Sequence, residues 1–265
     1  MSKITIGQYY PANSPLHGLD PRIKLIGTFM HIAATLAANN FFGYGIAAFY
    51  VIILIKFSQV PASLMLRGLR TIIYVLIFAM VLNLFLAPGE NVLVQFWFIS
   101  ITAEGIILAI QMGLRLVIMI VGTSMLTLTT SPIKLTDGLE ALLRPLKLIK
   151  VPSHDIAMMM TIALRFIPTL SDEMGKIMKA QTSRGASFNT GGILKRAKGL
   201  LPILIPLFVS AFKRADELAT AMESRCYRGD AGRTKMKEMK MTPSDWIALG
   251  VILTSAVAVL GTRWI

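Results

Sequence analysis

The chain has 265 residues, 54% of them hydrophobic and only 15% charged, with a mean hydropathy of +0.64. One soluble core needs far less apolar material, so the expected solvent is a bilayer. The formal charge of +13 admits either nucleic acid or membrane sorting, and the single cysteine, Cys226, excludes an internal disulfide and argues against a cysteine-built metal cluster.

Met1 to Asp20 lacks the charged start, apolar run and small-residue cleavage site of a secretory leader, so it is expected to stay on the mature chain. Apolar runs of near-spanning length follow at Ile23–Ala38, Phe41–Ile55, Thr71–Ala87, Gly105–Thr130 and Trp246–Thr262, which predicts five membrane spans. Lys3, Arg22 and Lys24 precede the first run, and Lys56, Arg67 and Arg70 follow the second. The connections Asn39-Asn40 and Pro88–Glu104 carry no basic residue, which places the N-terminus inside. Between Lys134 and Lys240 lie 19 basic residues against 10 acidic ones, so that segment is cytoplasmic and the last span leaves the C-terminus outside. Trp246 and Trp264 bracket the last span as two aromatic belts would.

The expected class is an all-α integral membrane protein in three parts: a transmembrane region at 1–130, a cytoplasmic helical domain at 131–241 and a final transmembrane helix at 242–265. In the middle part, Thr136 or Asp137 can cap a short helix carrying Leu139, Leu142, Leu143 and Leu146, which Pro145 should kink or end. Pro152-Ser153 opens a longer helix whose stripe is Ile162, Phe166, Leu170, Met174 and Ile177, ending in the Gly185–Gly192 run. A second long helix follows with the stripe Phe208, Ala211, Ala215, Leu218 and Met222, bent by Pro202 and Pro206.

These two helices carry the chemistry. Ala180-Gln-Thr-Ser183-Arg184-Gly185 and Ala221-Met-Glu-Ser224-Arg225-Cys226 repeat Ala-x-x-Ser-Arg with a period of 41 residues, each at a predicted helix end. Such an arginine can be a helix-end charge favoured by the macrodipole by roughly 0.3–1 kcal/mol. Two copies on matched helices argue instead for an anchor, because a guanidinium fork suits carboxylates and carbonyls and the small neighbours allow close approach. Two anchors suit a twofold or near-twofold partner.

The same offset sets Asp172 and Glu173 over Lys213 and Arg214, and Lys176 over Glu217, which predicts salt bridges between the helices; pairing within each solvated helix face is the plainer alternative. Arg115 lies about ten residues into the fourth span, where an unpaired charge costs on the order of 3 kcal/mol, so it should face protein or water. Met158, Met159 and Met160 offer an adaptable contact surface or ordinary packing. Met236–Met241, interleaved with lysines, can rest on anionic headgroups or simply obey topology. His17, His31 and His154 show no metal-ligand spacing, and no Gly-rich phosphate loop is present, so the chain is not expected to bind a metal or hydrolyse ATP.

Taken with Ser14-Pro-Leu-His-Gly-Leu-Asp-Pro-Arg-Ile-Lys24 and Leu128-Thr-Thr-Ser-Pro132, the paired arginine motifs give essentially the whole chain a resemblance to EcfT, the transmembrane T component of energy-coupling factor transporters, and to the related CbiQ. The family's triplet is Ala-Arg-Gly. Ser183-Arg184-Gly185 and Ser224-Arg225-Cys226 depart from it, and Cys226 removes a helix-ending glycine, so the second helix is expected to run on toward Gly229. The resemblance implies a non-catalytic prokaryotic membrane subunit. Its triplets dock in grooves of two ATPase subunits (EcfA and EcfA′, or a homodimer) that hold ATP and magnesium, and its helices hold a substrate-binding S component for micronutrient, chiefly vitamin, uptake. The competing reading is a self-sufficient permease or membrane enzyme built on Arg115 and the basic region. Missing intramembrane acids speak against it. Nucleic-acid binding comes third, because the basic residues follow topology rather than interleaving with stacking aromatics.

Overall fold

The computed structural model describes residues 9–86, 92–96, 99–149, 152–186, 192–229 and 239–264. The chain divides into two compact units, one of residues 143–237 joined by 1–6, the other of residues 7–142 and 238–265.

In the larger unit, helix starts are written in cap–proline pairs. Ser14-Pro15 opens α1 (Pro15–Gly18), Asp20-Pro21 opens α2 (Pro21–Ala37) and Thr242-Pro243 opens α9 (Pro243–Gly261). The Ser14 and Asp20 side-chain oxygens each take an orphan N–H, from His17 and Arg22, whereas the Thr242 hydroxyl donates to Asp245; in all three, proline supplies a first helical residue that needs no donor. Between them lie α3 (Phe41–Ser58), α4 (Ala62–Leu86), α5 (Ala103–Thr129) and α6 (Pro132–Leu143).

Contacts fix the direction of each helix. Asp20, Gly27 and Asn40 meet Asp245, Ile252 and Thr262 in turn, so α2 and α9 run parallel. Tyr44 meets Ala38 and Tyr50 meets His31, so α3 returns antiparallel to α2. Gly68 faces Ser124 and Gly113 faces Met80, so α4 and α5 are antiparallel as well. Lys24 reaches Thr129 at one end of the bundle while Arg115 reaches Ala38 near the other. Among the described residues of this unit, the chain therefore passes end to end five times, in α2, α3, α4, α5 and α9.

The core between these helices holds Ile23, Ala34, Tyr44, Ala47, Val51, Ile118, Met125, Ile252 and Val259. Two glycines let helices close up: a Cβ at Gly27 would strike Ile252, and one at Gly122 would strike the His31 ring. Large apolar side chains such as Phe42, Phe49, Tyr74, Phe78 and Ile247 remain exposed, as lipid-facing residues would.

Several expectations are corrected here. Among the described residues, three segments are each long and apolar enough to cross a membrane: Phe41–Ser58, Ala103–Thr129 and Pro243–Trp264. α4, bent by 58°, makes a fourth if its halves count together. α2 has 17 residues, about 25 Å of helix, and falls short by itself although it runs the height of the bundle beside α9. The short helix capped at Thr136 or Asp137 is instead α6, which begins at Pro132; Thr136 is buried inside it and donates to the Ile133 carbonyl at 2.7 Å. α6 packs within the bundle, where a Cβ on Gly138 would come within 2.9 Å of Pro21, and the boundary between the two compact units falls at 142/143. Pro145 lies in a 3₁₀ turn, Arg144–Ile149, that follows α6. The connection between the third and fourth apolar runs contains two paired strands, β1 (Val92–Phe96) antiparallel to β2 (Ile99–Thr102), with Phe96 opposite Ile99.

The smaller unit holds α7 (Ser153–Ser183) and α8 (Ile193–Glu223). Each is 31 residues, about 46 Å. Pro202 and Pro206 lie inside α8 and Pro168 inside α7, and each helix continues past them. The α7 stripe is half-buried throughout. The α8 face of Leu200, Leu204, Ile205, Phe208, Val209 and Phe212 is exposed. Residues 187–191 of the Gly185–Gly192 run and residues 236–238 of the methionine–lysine stretch lie outside the described residues.

Candidate coupling site

The two arginine motifs form superimposable helix ends. At the end of α7, the Gly185 N–H donates to the Thr182 carbonyl at 2.9 Å and the Ala186 N–H to Gln181 at 3.0 Å. At the end of α8, Cys226 donates to Glu223 at 2.9 Å and Tyr227 to Met222 at 3.1 Å. Each donor and each acceptor is displaced by 41 residues. This is the paired 6→1 and 5→2 closure of a Schellman motif, with a left-handed residue after the arginine.

The serine ahead of each arginine also behaves alike. Ser183 Oγ donates to the Lys179 carbonyl at 3.1 Å and Ser224 Oγ to Thr220 at 2.8 Å. Their hydroxyls are spent on the helix, so each serine presents little more than alanine would. Arg184 and Arg225 are exposed, and neither guanidinium has a partner among the described residues.

The expected run-on toward Gly229 does not occur. α8 stops because Cys226 itself takes φ +55°, matching Gly185 at φ +87°. A side chain in that region costs on the order of 1 kcal/mol. Cys226→Gly is therefore expected to stabilise this helix end by about 0.5–1 kcal/mol, whereas Gly185→Ala should cost about as much. Hydrogen-exchange protection of residues 218–227 and 177–186 measures both.

Of the three pairs drawn from the 41-residue offset, one is brought together. Arg214 Nη2 donates to Glu173 Oε2 at 3.1 Å, and Ser210 Oγ–H donates to Oε1 at 2.5 Å. No ion pair joins Asp172 with Lys213 or Lys176 with Glu217 among the described residues. The Ser210 hydroxyl, with the Arg214 guanidinium, holds the Glu173 carboxyl below the usual glutamate range against the opposing effect of desolvation. A depressed carboxyl pKa stabilises the fold fully above the unfolded value of about 4.3, and that stability is lost as pH falls through the folded value. The α7–α8 contact should thus be unchanged from pH 7 to 5 and loosen below about 4. An acid titration followed by hydrogen exchange of α7 and α8 should show this transition flattened in Glu173→Gln.

Met158 Sδ accepts from the Tyr227 hydroxyl at 3.1 Å, while Met159 and Met160 are exposed. In the bundle, Arg115 meets no carboxylate among the described residues. Its Nη2 donates to the Ala38 carbonyl at 2.9 Å and to the Tyr44 hydroxyl at 2.7 Å, Nε donates to that hydroxyl at 3.1 Å, and its guanidinium carbon stands 5.7 Å from the Tyr44 ring centroid. No three of His, Cys, Asp and Glu gather to hold a metal ion among the described residues.

Four residues escaped sequence reasoning. Ser210 and Tyr227 carry no motif. Tyr44 could be found only by its place opposite Arg115. Asp245 had a signal, the Thr242-x-x-Asp245 capping box ahead of an apolar run.

With this geometry in place, similarity decides the family. Residues 12–236 match the cobalt transport protein family CbiQ. Among curated relatives, the energy-coupling factor transporter transmembrane protein EcfT of Ruminiclostridium cellulolyticum is 53% identical over 248 residues, covering 94% of this chain and 92% of that one. The EcfT of Acidaminococcus fermentans is 49% identical over 264 residues, covering 100% and 98%, and that of Bacillus subtilis 44% over 245 residues, covering 92% of each. The chain belongs to the CbiQ/EcfT family. It is a multi-pass transmembrane component of that transporter class, consistent with its apolar helices.

Proposed function

We propose that this chain is the T component that couples two ATPase subunits to a membrane-embedded S component during micronutrient uptake. The observation that carries the reading is the pair of matched helix ends, each offering an exposed arginine on a hydrogen-bonded turn with no partner among the described residues. Arg184 enters a groove of one ATPase subunit and Arg225 the equivalent groove of the other. ATP and magnesium belong to those subunits, whose closure moves the two helix ends. The long helices pass that motion to the S component, with Met158–Met160 and the apolar face of α8 as contact surfaces.

The family supports a vitamin as cargo, carried by the S component. The N-terminus and the α7–α8 unit face the cytoplasm and the C-terminus the outside. Support for this comes from five end-to-end passages and from Arg22, Lys24, Lys56 and Lys134 at the α2 start, α3 end and α6 start. With coexpressed ATPase subunits, Arg184→Ala with Arg225→Ala should lower ATPase co-purification at least about tenfold, a loss of roughly 1.4 kcal/mol or more. Undiminished co-purification of an inserted double variant would sink the docking reading.

A further inference from the structure

We infer that Glu173, Ser210 and Arg214 form the pivot that sets the spacing of the two docking ends, an inference that rests on the docking reading of Arg184 and Arg225. Glu173 is gripped by both carboxylate oxygens, from two residues one turn apart on α8. Side chains at i and i+4 share a helix face, so this grip restrains both sliding and rotation of α7 on α8. It is the single ionic contact between the helices among the described residues, made through Arg214 Nη2, while Arg214 Nε is buried with no acceptor among those residues. A ladder of pairs would lock the helices along their length. A single ionic clasp, accompanied only by the weaker Tyr227–Met158 hydrogen bond near the start of α7, leaves them able to swing about it.

The placement of that point is symmetric. Glu173 precedes Arg184 by 11 residues and Arg214 precedes Arg225 by 11 residues, giving two arms of about 16 Å each. Pro168, Pro202 and Pro206 all lie N-terminal to the clasp, so neither arm contains a proline. Glu173 meets Ser210 and Arg214 while Met158 meets Tyr227, so the helices run antiparallel where they touch. The arms therefore leave the clasp in opposite directions, holding the arginines on the order of 30 Å apart along the helix axes. Equal arms deliver equal displacement from two similar subunits to one point. The three clasp residues are positioning residues, acting through the arginines rather than touching the ATPases.

The test uses the full chain in nanodiscs, alone and with coexpressed ATPase subunits. Spin labels are carried on ketone side chains introduced at Lys179 and Thr220, equivalent exposed positions on the two arms, which leaves Cys226 untouched. The parent should give one narrow distance distribution. Glu173→Arg and Arg214→Glu should each at least double its width while ATPase subunits still co-purify, and the double exchange should restore it. Ser210→Ala, which keeps the ion pair, should broaden it less. Unchanged distributions in the single reversals, or a double exchange no narrower than the singles, would overturn the pivot. So would loss of the ATPase subunits in a single reversal that the double exchange does not recover. Arg184→Ala with Arg225→Ala in the same series separates the two ideas: retained ATPase subunits there refute docking itself, whatever the distances show.

Discussion

Asp245→Ala is expected to lower the stability of the membrane bundle by about 3–5 kcal/mol, a fall in unfolding temperature of roughly 10 °C. Asp245 is 1% exposed, and its carboxylate accepts three hydrogen bonds: from the Asp20 N–H at 2.8 Å through Oδ1, and from the Thr242 N–H at 2.8 Å and hydroxyl at 2.7 Å through Oδ2. It thus closes the capping box of the last helix and ties it to the cap of α2, 225 residues away. Alanine leaves buried donors unsatisfied at both helix starts, each a penalty of about 1–3 kcal/mol. Asp245→Asn keeps one accepting oxygen and should lose about half as much. Thermal unfolding of both variants in one detergent measures the difference. Equal stability of Asp245→Ala and the parent would show that the junction carries no load.

Tyr44→Phe is expected to cost about 2–3 kcal/mol, and more than Arg115→Met. The Tyr44 hydroxyl accepts from two nitrogens of Arg115 and donates to the Ala38 carbonyl at 2.7 Å. Removing it strands a cation inside an apolar helix with one carbonyl left. Removing the arginine instead leaves the Tyr44–Ala38 bond intact and withdraws the charge that needed satisfying. Breaking one partner of a buried polar set costs more than replacing both, so Tyr44→Phe with Arg115→Met should recover about half the loss. Unfolding midpoints of the three variants check the order. If Arg115→Met is the worst, the arginine has a role beyond holding the α2–α3 corner.

Much of the candidate site was legible because it repeats. A period of 41 residues ties Arg184 to Arg225 and Glu173 to Arg214, and the structure pairs the latter two at 3.1 Å. What could not be read depends on backbone. Cys226 ends α8 in a left-handed conformation that its side chain disfavours, so its sequence pointed to a longer helix. Arg115 is satisfied by a carbonyl and a phenol, and carbonyls have no letter in a sequence. The seating of α6 on Pro21 depends on the absence of a side chain at Gly138, and close approach of two backbones leaves no pattern in a sequence. The paired strands 92–96 and 99–102 have their signal in Val92, Val94, Ile99 and Ile101, which favour strand, but in runs too short to stand out between two long apolar helices.

The central claim is coupling through two arginines, and ATP-driven uptake in proteoliposomes tests it most directly. Complexes with coexpressed ATPase and S subunits would be compared as parent, Arg184→Ala, Arg225→Ala and double variant, using a panel of labelled water-soluble vitamins. The account predicts that each single change lowers uptake, that the double change abolishes it, and that the chain without ATPase subunits transports nothing. Parental uptake by the double variant, or uptake by the chain alone, would contradict it.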